Sequence, residues 1–93
     1  MNIQHIDGED KGKVFIYALS TCGWCLKTKQ YLKENNIAYS FIDVDLLTGE
    51  EKTEILRQLI KFNPNKSFPT IVVNDETTII GFDVDKIKAV LGL

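Results

Sequence analysis

The two cysteines of this chain lie in the segment Cys22-Gly23-Trp24-Cys25. Two thiols at this spacing can close a small disulfide without reorganising a whole domain, which suits reversible chemistry. The segment follows a strand-like run and begins a helix-like one, where free backbone N–H groups and the helix dipole stabilise a thiolate. Residue type, spacing and position together predict a redox active site.

The length, composition and charge of the chain indicate an ordinary folded protein. Its 93 residues are 44% hydrophobic and 26% charged, which predicts one domain over residues 1–93 with a polar lead over residues 1–12. The net charge of −2 argues against nucleic acid or an anionic membrane as a main partner. Because no apolar run approaches the ~20 residues of a membrane span and no signal-peptide pattern is present, we expect a cytoplasmic protein.

The redox compartment bears on the role of the cysteine pair. In a reducing cytosol, two cysteines this close are more often catalytic or metal-binding than structural. A structural disulfide would also stabilise little, because so short a loop removes little entropy from the unfolded chain. One pair supplies only two thiolates, too few for a closed tetrahedral metal site within one chain. We therefore predict neither a metal nor another cofactor.

The strands that must position the pair are visible as β-favouring apolar runs. They are predicted over residues 13–19, 38–45, 70–73 and 77–80, which are rich in β-branched and aromatic side chains. The first run is continuous, which is typical of a strand buried on both faces. The short link over residues 74–76 predicts an antiparallel hairpin of the last two strands.

Three helical patterns complete the order βαβαββα. The first helix is predicted over residues 23–34 and ends at Asn35-Asn36, the second begins at a Thr48–Glu51 capping box, and Asp83 caps the third. This order predicts an α/β fold in which three helices cover a four-stranded mixed sheet. The stripes expected to face the core are Cys25, Thr28 and Leu32, then Ile55, Leu56, Leu59, Ile60 and Phe62, then Ile87, Val90 and Leu91.

With this topology the chain resembles the glutaredoxin family of the thioredoxin-like superfamily over about residues 13–91. Three separated segments carry the resemblance. They are residues 17–25, Ser67-Phe68-Pro69-Thr70 before the third strand, and Gly81-Phe82-Asp83-Val84-Asp85 before the last helix. The resemblance implies a thioredoxin-like, glutaredoxin-type fold and thiol-disulfide oxidoreductase activity.

The resemblance also implies a set of substrate-binding residues. The family's cis proline corresponds to Pro69, so that the backbone of Phe68 would pair with an incoming peptide like an added strand. From the residues alone, a trans proline at a strand start is the alternative, and simple packing is the alternative for Trp24 and Phe82. The expected substrate-binding residues are Gly23, Trp24, Phe68, Pro69, Gly81, Phe82 and Asp83.

The implied cycle gives the two catalytic cysteines different roles in one redox-active disulfide. Cys22, nearer the surface, attacks a substrate disulfide as a thiolate, and Cys25, one turn deeper, attacks the Cys22 sulfur and releases the reduced substrate. The helix end is the first candidate for stabilising the thiolate, whereas Lys27 and Lys29 contribute only if their side chains fold back. His5 lies far away in the polar lead and is expected to be a surface residue.

The reductant is indicated by departures from the family pattern. Glutathione-using glutaredoxins have a Lys or Arg where this chain has Leu19, and two adjacent glycines where it has Gly81-Phe82. The Gly-Phe pair is similar to glutaredoxin-like redoxins that serve ribonucleotide reductase and are reduced by a thioredoxin-reductase-type partner. The remaining anion site, at the amides of Val84 and Asp85, lies beside the carboxylates of Asp83 and Asp85, which would repel an anionic ligand.

These departures favour one function over two alternatives. We expect a reductase rather than glutathione as electron source, disulfide-containing proteins as substrates with ribonucleotide reductase among the candidates, and a monomer. The alternatives are a glutathione-dependent glutaredoxin and an iron–sulfur cluster carrier, in which two subunits and glutathione share the ligation. A redox-inert binding module is a third alternative, but it would not explain the spacing of the two cysteines.

Overall fold

Five strands and three helices form the described part of the chain, residues 3–93, in this computed structural model. The strands are β1 (Gln4–Ile6), β2 (Val14–Ala18), β3 (Tyr39–Asp43), β4 (Thr70–Val73) and β5 (Thr77–Ile80). The helices are α1 (Gly23–Glu34), α2 (Gly49–Phe62) and α3 (Val84–Leu91), and a 3-10 turn over Val44–Leu46 follows β3. The predicted α/β fold is confirmed, with every predicted helix and strand close to its expected bounds.

The sheet has the strand order β1-β3-β2-β4-β5. β2 and β3 are parallel and joined through α1, whereas β4 is antiparallel to both β2 and β5. In this register Ala18 lies opposite Asp43, Tyr17 opposite Thr70, and Thr70 opposite Ile80. The ends of β2, β3 and β5 and the start of β4 therefore meet at one end of the sheet.

The central strands are buried on both faces because successive side chains point to opposite sides. Ile16 belongs to a first core cluster, which includes Cys25 and Leu32 of α1 and Ile87 of α3. The neighbouring Tyr17 belongs to a second core cluster on the opposite face, which α2 covers with residues including Ile55 and Leu59. The continuous apolar run of β2 thus forms a doubly covered strand, as predicted.

The four-strand prediction was one strand short. β1 lies within the predicted polar lead and pairs antiparallel with β3, with Gln4 opposite Phe41 and Ile6 opposite Tyr39. Further along, the Glu9 N–H donates to Asn36 O, and the Ala38 N–H donates to Glu9 O at 2.9 Å. These contacts use backbone groups, so the polar side chains of the segment give no signal of them.

The helix ends differ from prediction in detail. α1 begins at an N-cap formed by Cys22. It ends as predicted, with Asn36 in the left-handed region at φ 55°. Thr48 occupies the N-cap position of α2 without a side-chain capping bond, so the capping-box prediction was wrong in its contacts.

The buried stripe of α2 is narrower than predicted. Ile55 and Leu59 are fully buried, but Ile60 is 44% exposed, because it lies about 100° around the helix axis from Leu59. The other two stripes are close to expectation, since only Val90 of α3 is less than fully buried among their members. Within residues 3–93, none of the helices has the length and apolar character needed to cross a bilayer.

Candidate active site

The cysteine pair lies where β2 ends and α1 begins. Cys22 is the N-cap of α1 in an extended conformation, with φ −86° and ψ 117°. Its N–H donates to Leu19 O at 3.3 Å, and its carbonyl accepts from the Leu26 N–H at 3.0 Å. The end of a buried strand and the first turn of a helix therefore hold Cys22 from both sides.

The two sulfurs have unequal surroundings, and both thiols are free. Cys22 is partly exposed and Cys25 is fully buried in the first core cluster. The Cys25 N–H donates to Cys22 Sγ at 3.2 Å, so a free amide of the helix N-terminus points at the outer sulfur. Burial, and then the thiol's hydrogen bond to Cys22, raise the pKa of Cys25 to about 12. The outer sulfur can meet a substrate, whereas the inner one is held as a thiol.

The two lysines considered for activation of Cys22 have other partners. Lys27 Nζ lies 4.7 Å from the centre of the Trp24 ring. Lys29 Nζ pairs with Asp43 Oδ1 at 3.0 Å and lies 4.0 Å from the centre of the Phe41 ring. The contacts of both ammonium groups therefore leave the helix N-terminus as the structural support of Cys22.

The register of the sheet brings the second predicted segment to the same end. Because Thr70 pairs with Tyr17, Pro69 stands beside the strand end that leads into Cys22. The Phe68–Pro69 peptide bond is cis, in agreement with the conformation that the resemblance implied. Phe68 is partly buried and packs against both core clusters, the first of which also contacts Cys22.

A buried asparagine, which the sequence analysis did not single out, supports this turn. Asn63 is 1% exposed at the end of α2, and its Nδ2 donates to Ser67 Oγ and Thr70 Oγ1, both at 2.9 Å. Its Oδ1 accepts from the Asn65 N–H at 3.1 Å, and the Thr70 hydroxyl donates to Ser67 O at 2.8 Å. Asn63 thus fixes the backbone on both sides of Phe68 and Pro69. The sequence offered only an asparagine directly after an amphipathic helix, and its burial appears only in the structure.

The third predicted segment reaches the site through Gly81. Ile80 pairs with Thr70, and the Gly81 N–H donates to Pro69 O at 2.9 Å. Gly81 has φ +80°, a conformation that a side chain disfavours. Gly23, in contrast, has no unusual φ, and an added Cβ there would meet nothing within 4 Å. The turn itself therefore does not require a glycine at this position, and Gly23 faces open space that a partner could enter.

The side chains of Trp24, Phe82 and Tyr31 form an aromatic shelf next to the cysteines. Trp24 is 59% exposed, and its ring centre lies 6.2 Å from that of Phe82, which in turn lies 5.9 Å from that of Tyr31. Phe82 also packs against the first core cluster. Phe82 therefore packs this shelf against the core, whereas Trp24 is largely exposed to solvent.

Two aspartates accept hydrogen bonds from backbone amides around the site. Asp83 caps α3 as predicted, because its Oδ1 accepts from the Lys86 N–H at 3.1 Å. Asp45, which the sequence analysis missed, accepts from the Ser20 N–H at 2.8 Å and from the Ser20 hydroxyl. These bonds, the hydroxyl's first, hold the pKa of Asp45 below its usual range. Asp45 thus links the loop before Cys22 to the turn that follows β3. Asp83 satisfies one of the free amides at the N-terminus of α3.

Two further features are the position of His5 and the residues that could bind a metal ion. His5 is exposed on β1, where its Nδ1 lies 2.9 Å from Ser40 Oγ. Among residues 3–93 there is no group of three or more His, Cys, Asp or Glu side chains arranged to hold a metal ion. The donor set at the cysteine pair is thus two thiolates, which does not fit a closed four-ligand site within one chain.

Comparison with known proteins agrees with this geometry. The family profile described as Glutaredoxin matches residues 14–78. An uncharacterised glutaredoxin-like 8.6 kDa protein in the rubredoxin operon of Clostridium pasteurianum is 39% identical over 75 residues, which are 77% of this chain and 92% of that protein.

Two crystal structures are similar over nearly the whole fold. The glutaredoxin of Methanosarcina mazei Go1 has a TM-score of 0.91 and 43% identity, covering 98% of this chain and 88% of that one. Methanosarcina acetivorans methanoredoxin has a TM-score of 0.88 and 45% identity, covering 92% of this chain and 90% of that one. With its C-x-x-C motif at a helix N-terminus, its cis proline and these relatives, the chain belongs to the glutaredoxin family of redox proteins.

Proposed function

We propose that this protein is a dithiol oxidoreductase that reduces disulfides in other proteins. The observation that carries the proposal is the unequal environment of the two sulfurs. Cys22 is partly exposed and accepts a helix-terminal amide, whereas Cys25 is fully buried. One sulfur can thus meet the substrate while the other is reserved for the second step. The domain of residues 1–93 would act as one unit.

The proposed first step is attack by the Cys22 thiolate on a substrate disulfide. The substrate's S–S bond breaks, one of its sulfurs leaves as a thiolate, and a mixed disulfide with Cys22 forms. Cys25 then loses its proton and attacks the Cys22 sulfur, so that a Cys22–Cys25 disulfide forms and the second substrate sulfur leaves and is protonated. The amide of Cys25 at 3.2 Å supports negative charge on Cys22 in the free protein.

Substrate docking is proposed along the segments that the sheet brings together. The backbone of Phe68, beside the cis bond to Pro69, is in the right place to pair with an extended peptide. The open space at Gly23 admits the peptide backbone, and Trp24 offers apolar contact. Gly81, Phe82 and Asp83 would border the other side of the peptide.

For the electron source, a reductase is favoured over glutathione. Leu19 stands where glutathione-using relatives have a basic residue, and Asp83 already uses one amide of the α3 N-terminus. With Asp85 beside it, this end of α3 is poorly suited to a ligand carboxylate. The Gly81-Phe82 pair supports a thioredoxin-reductase-type partner and keeps ribonucleotide reductase as a candidate target. We propose a monomer acting in the cytoplasm, without nucleic acid or membrane as partner.

The activity is tested with a peptide that contains one intramolecular disulfide. Reduced protein, mixed with an equal amount of this peptide, is expected to convert it to the dithiol while gaining the Cys22–Cys25 disulfide, as seen by mass spectrometry after acid quenching. The Cys22→Ser variant should leave the peptide oxidised. A wild-type protein that leaves the peptide oxidised at every ratio would overturn the proposal.

The reductant is tested on the oxidised protein. Reduction by glutathione is compared with reduction by NADPH and a thioredoxin-reductase-type enzyme, and the second is expected to be faster at physiological concentrations. Faster and selective turnover with glutathione would contradict the preference. An absorbing, dimeric product after anaerobic purification would instead support the iron–sulfur alternative.

A further inference from the structure

One ion pair is much less exposed than the others formed by residues 3–93. Lys29 and Asp43 have side chains only 14% and 12% exposed, whereas each of the other pairs has a partner that is at least 45% exposed. Burying two charges costs desolvation that their attraction only partly offsets, so such a pair is weak evidence for stability. Because Lys29 follows Cys25 by one turn of α1, the position of the pair indicates a role in the chemistry of the cysteines rather than in stability.

Lys29 lies on the same side of α1 as the buried cysteine, one turn further along the helix. Lys29 follows Cys25 by four residues in α1, so the two side chains are neighbours on adjacent turns. Its Nζ lies against the face of Phe41, and Phe41 and Cys25 belong to the same core cluster. Asp43, opposite Ala18 at the end of β3, fixes the ammonium from the other side.

The second step of the proposed reaction needs a charge that the core disfavours. Cys25 is fully buried, and burial raises the pKa of its thiol to about 12, yet Cys25 must react as a thiolate. Two groups act in the opposite direction and lower this pKa: first the backbone of Leu19, through a hydrogen bond with the thiol, and then the ammonium group of Lys29.

Other charges are arranged away from the Cys25 thiol. The neighbouring strands β2, β4 and β5 contain no Asp, Glu, Lys or Arg. On α3, the charged residues are exposed, and Asp45 is bound to Ser20. Cys22 faces the thiol and opposes its ionisation, which leaves Lys29, with its partner Asp43, as the cation that the fold brings to Cys25.

We propose that Lys29 is a positioning residue for the resolving step, in which its ammonium group stabilises the Cys25 thiolate as this attacks the mixed disulfide. The inference rests on the dithiol mechanism proposed above. In the step, the Cys25–Cys22 bond forms, the bond between Cys22 and the substrate sulfur breaks, and the proton lost by Cys25 ends on the departing substrate thiolate. Asp43 and Phe41 hold the ammonium in place.

The test separates the two steps with a neutral chromogenic disulfide. Reduced protein is mixed with one equivalent of a dithiodipyridine in a stopped-flow instrument, and pyridinethione is released first by Cys22 and then by Cys25. In Lys29→Met, the first phase is expected to stay within about twofold of the wild type, whereas the second slows about tenfold, the effect of one pKa unit. The pH at which the second phase accelerates should rise, because loss of the cation disfavours the thiolate.

Three variants make the outcome specific. Lys29→Arg keeps the charge and should restore the second phase, Lys29→Gln should resemble Lys29→Met, and Lys33→Met removes an exposed lysine near the end of α1 as a control. If Lys29→Met does not fold, the comparison of Lys29→Gln with Lys29→Arg decides. An unchanged second phase, equal slowing of both phases, or no rescue by arginine would overturn the role of Lys29. A wild-type protein without a second phase would instead refute the dithiol mechanism.

Discussion

Cys22 and Cys25 are three residues apart in the chain, yet they differ in exposure because one caps a helix and the other faces the core. Alkylation with iodoacetamide should therefore modify Cys22 and leave Cys25 untouched in the reduced protein. Since the pKa of Cys25 is raised to about 12, its thiolate stays scarce up to about pH 10 and becomes reactive only above it. Peptide mapping across this pH range measures the difference, and equal modification of both cysteines near neutral pH would contradict it.

Asn63 is a residue whose side chain supports the site from a distance. Replacing it with alanine leaves the buried Thr70 hydroxyl and the Ser67 segment without their amide partner, so we expect a loss of about 2–4 kcal/mol in the free energy of unfolding. Asn65→Ala is the matched control, because Asn65 is exposed and donates its bond to Asn63 Oδ1 through the backbone N–H, which alanine keeps. Urea denaturation compares them, and similar stabilities of the two variants would show that the network contributes little.

At the scale of elements, the N-terminal segment depends on a close approach at Gly8. An added Cβ there would lie 2.7 Å from the backbone N of Ala38 and 2.7 Å from the carbonyl carbon of Ile37, so Gly8→Ala must push the segment after β1 away from the residues that precede β3. We expect a cost of about 1–3 kcal/mol and faster amide exchange in residues 4–6. Gly23→Ala is the control, since its Cβ would meet nothing, and stability equal to that of Gly8→Ala would disprove the close packing.

The elements also show what the sequence could reveal. Apolar periodicity located α1, β4 and β5 at the bounds seen in the structure, because each of them packs apolar side chains into the core. β1 was missed because it is short and two of its three residues, Gln4 and His5, are polar and exposed. The Thr48 cap was overestimated because a suitable residue type does not guarantee the bond.

At the candidate site, the motif and the family resemblance predicted roles for Cys22, Cys25 and Pro69, and the structure brings these residues to one end of the sheet. The roles of Asn63, Asp45 and the Lys29–Asp43 pair required three-dimensional contacts between residues far apart in the chain. Their residue types are common, and only burial and distance distinguish them from ordinary polar residues.

At the scale of the molecule, the end of the sheet that carries Cys22 presents the exposed ring of Trp24 to a partner. We expect Trp24→Ala to reduce the rate with a protein disulfide about tenfold, within the range of a lost aromatic contact, while the rate with a small disulfide changes little. Ile60→Ala removes an apolar side chain of α2 that is 44% exposed, and should leave both rates unchanged. If Trp24→Ala reduces both rates equally, the ring affects the reactivity of the cysteines rather than the binding of a partner protein.

The central claim is that a substrate passes through a covalent bond to Cys22, which Cys25 then breaks. Its most direct test is mass spectrometry of the Cys25→Ser and Cys22→Ser variants after each is mixed with a disulfide-containing peptide. We expect Cys25→Ser to accumulate a mixed disulfide at Cys22 and Cys22→Ser to form none. Accumulation in Cys22→Ser, or the absence of any adduct in Cys25→Ser, would contradict it.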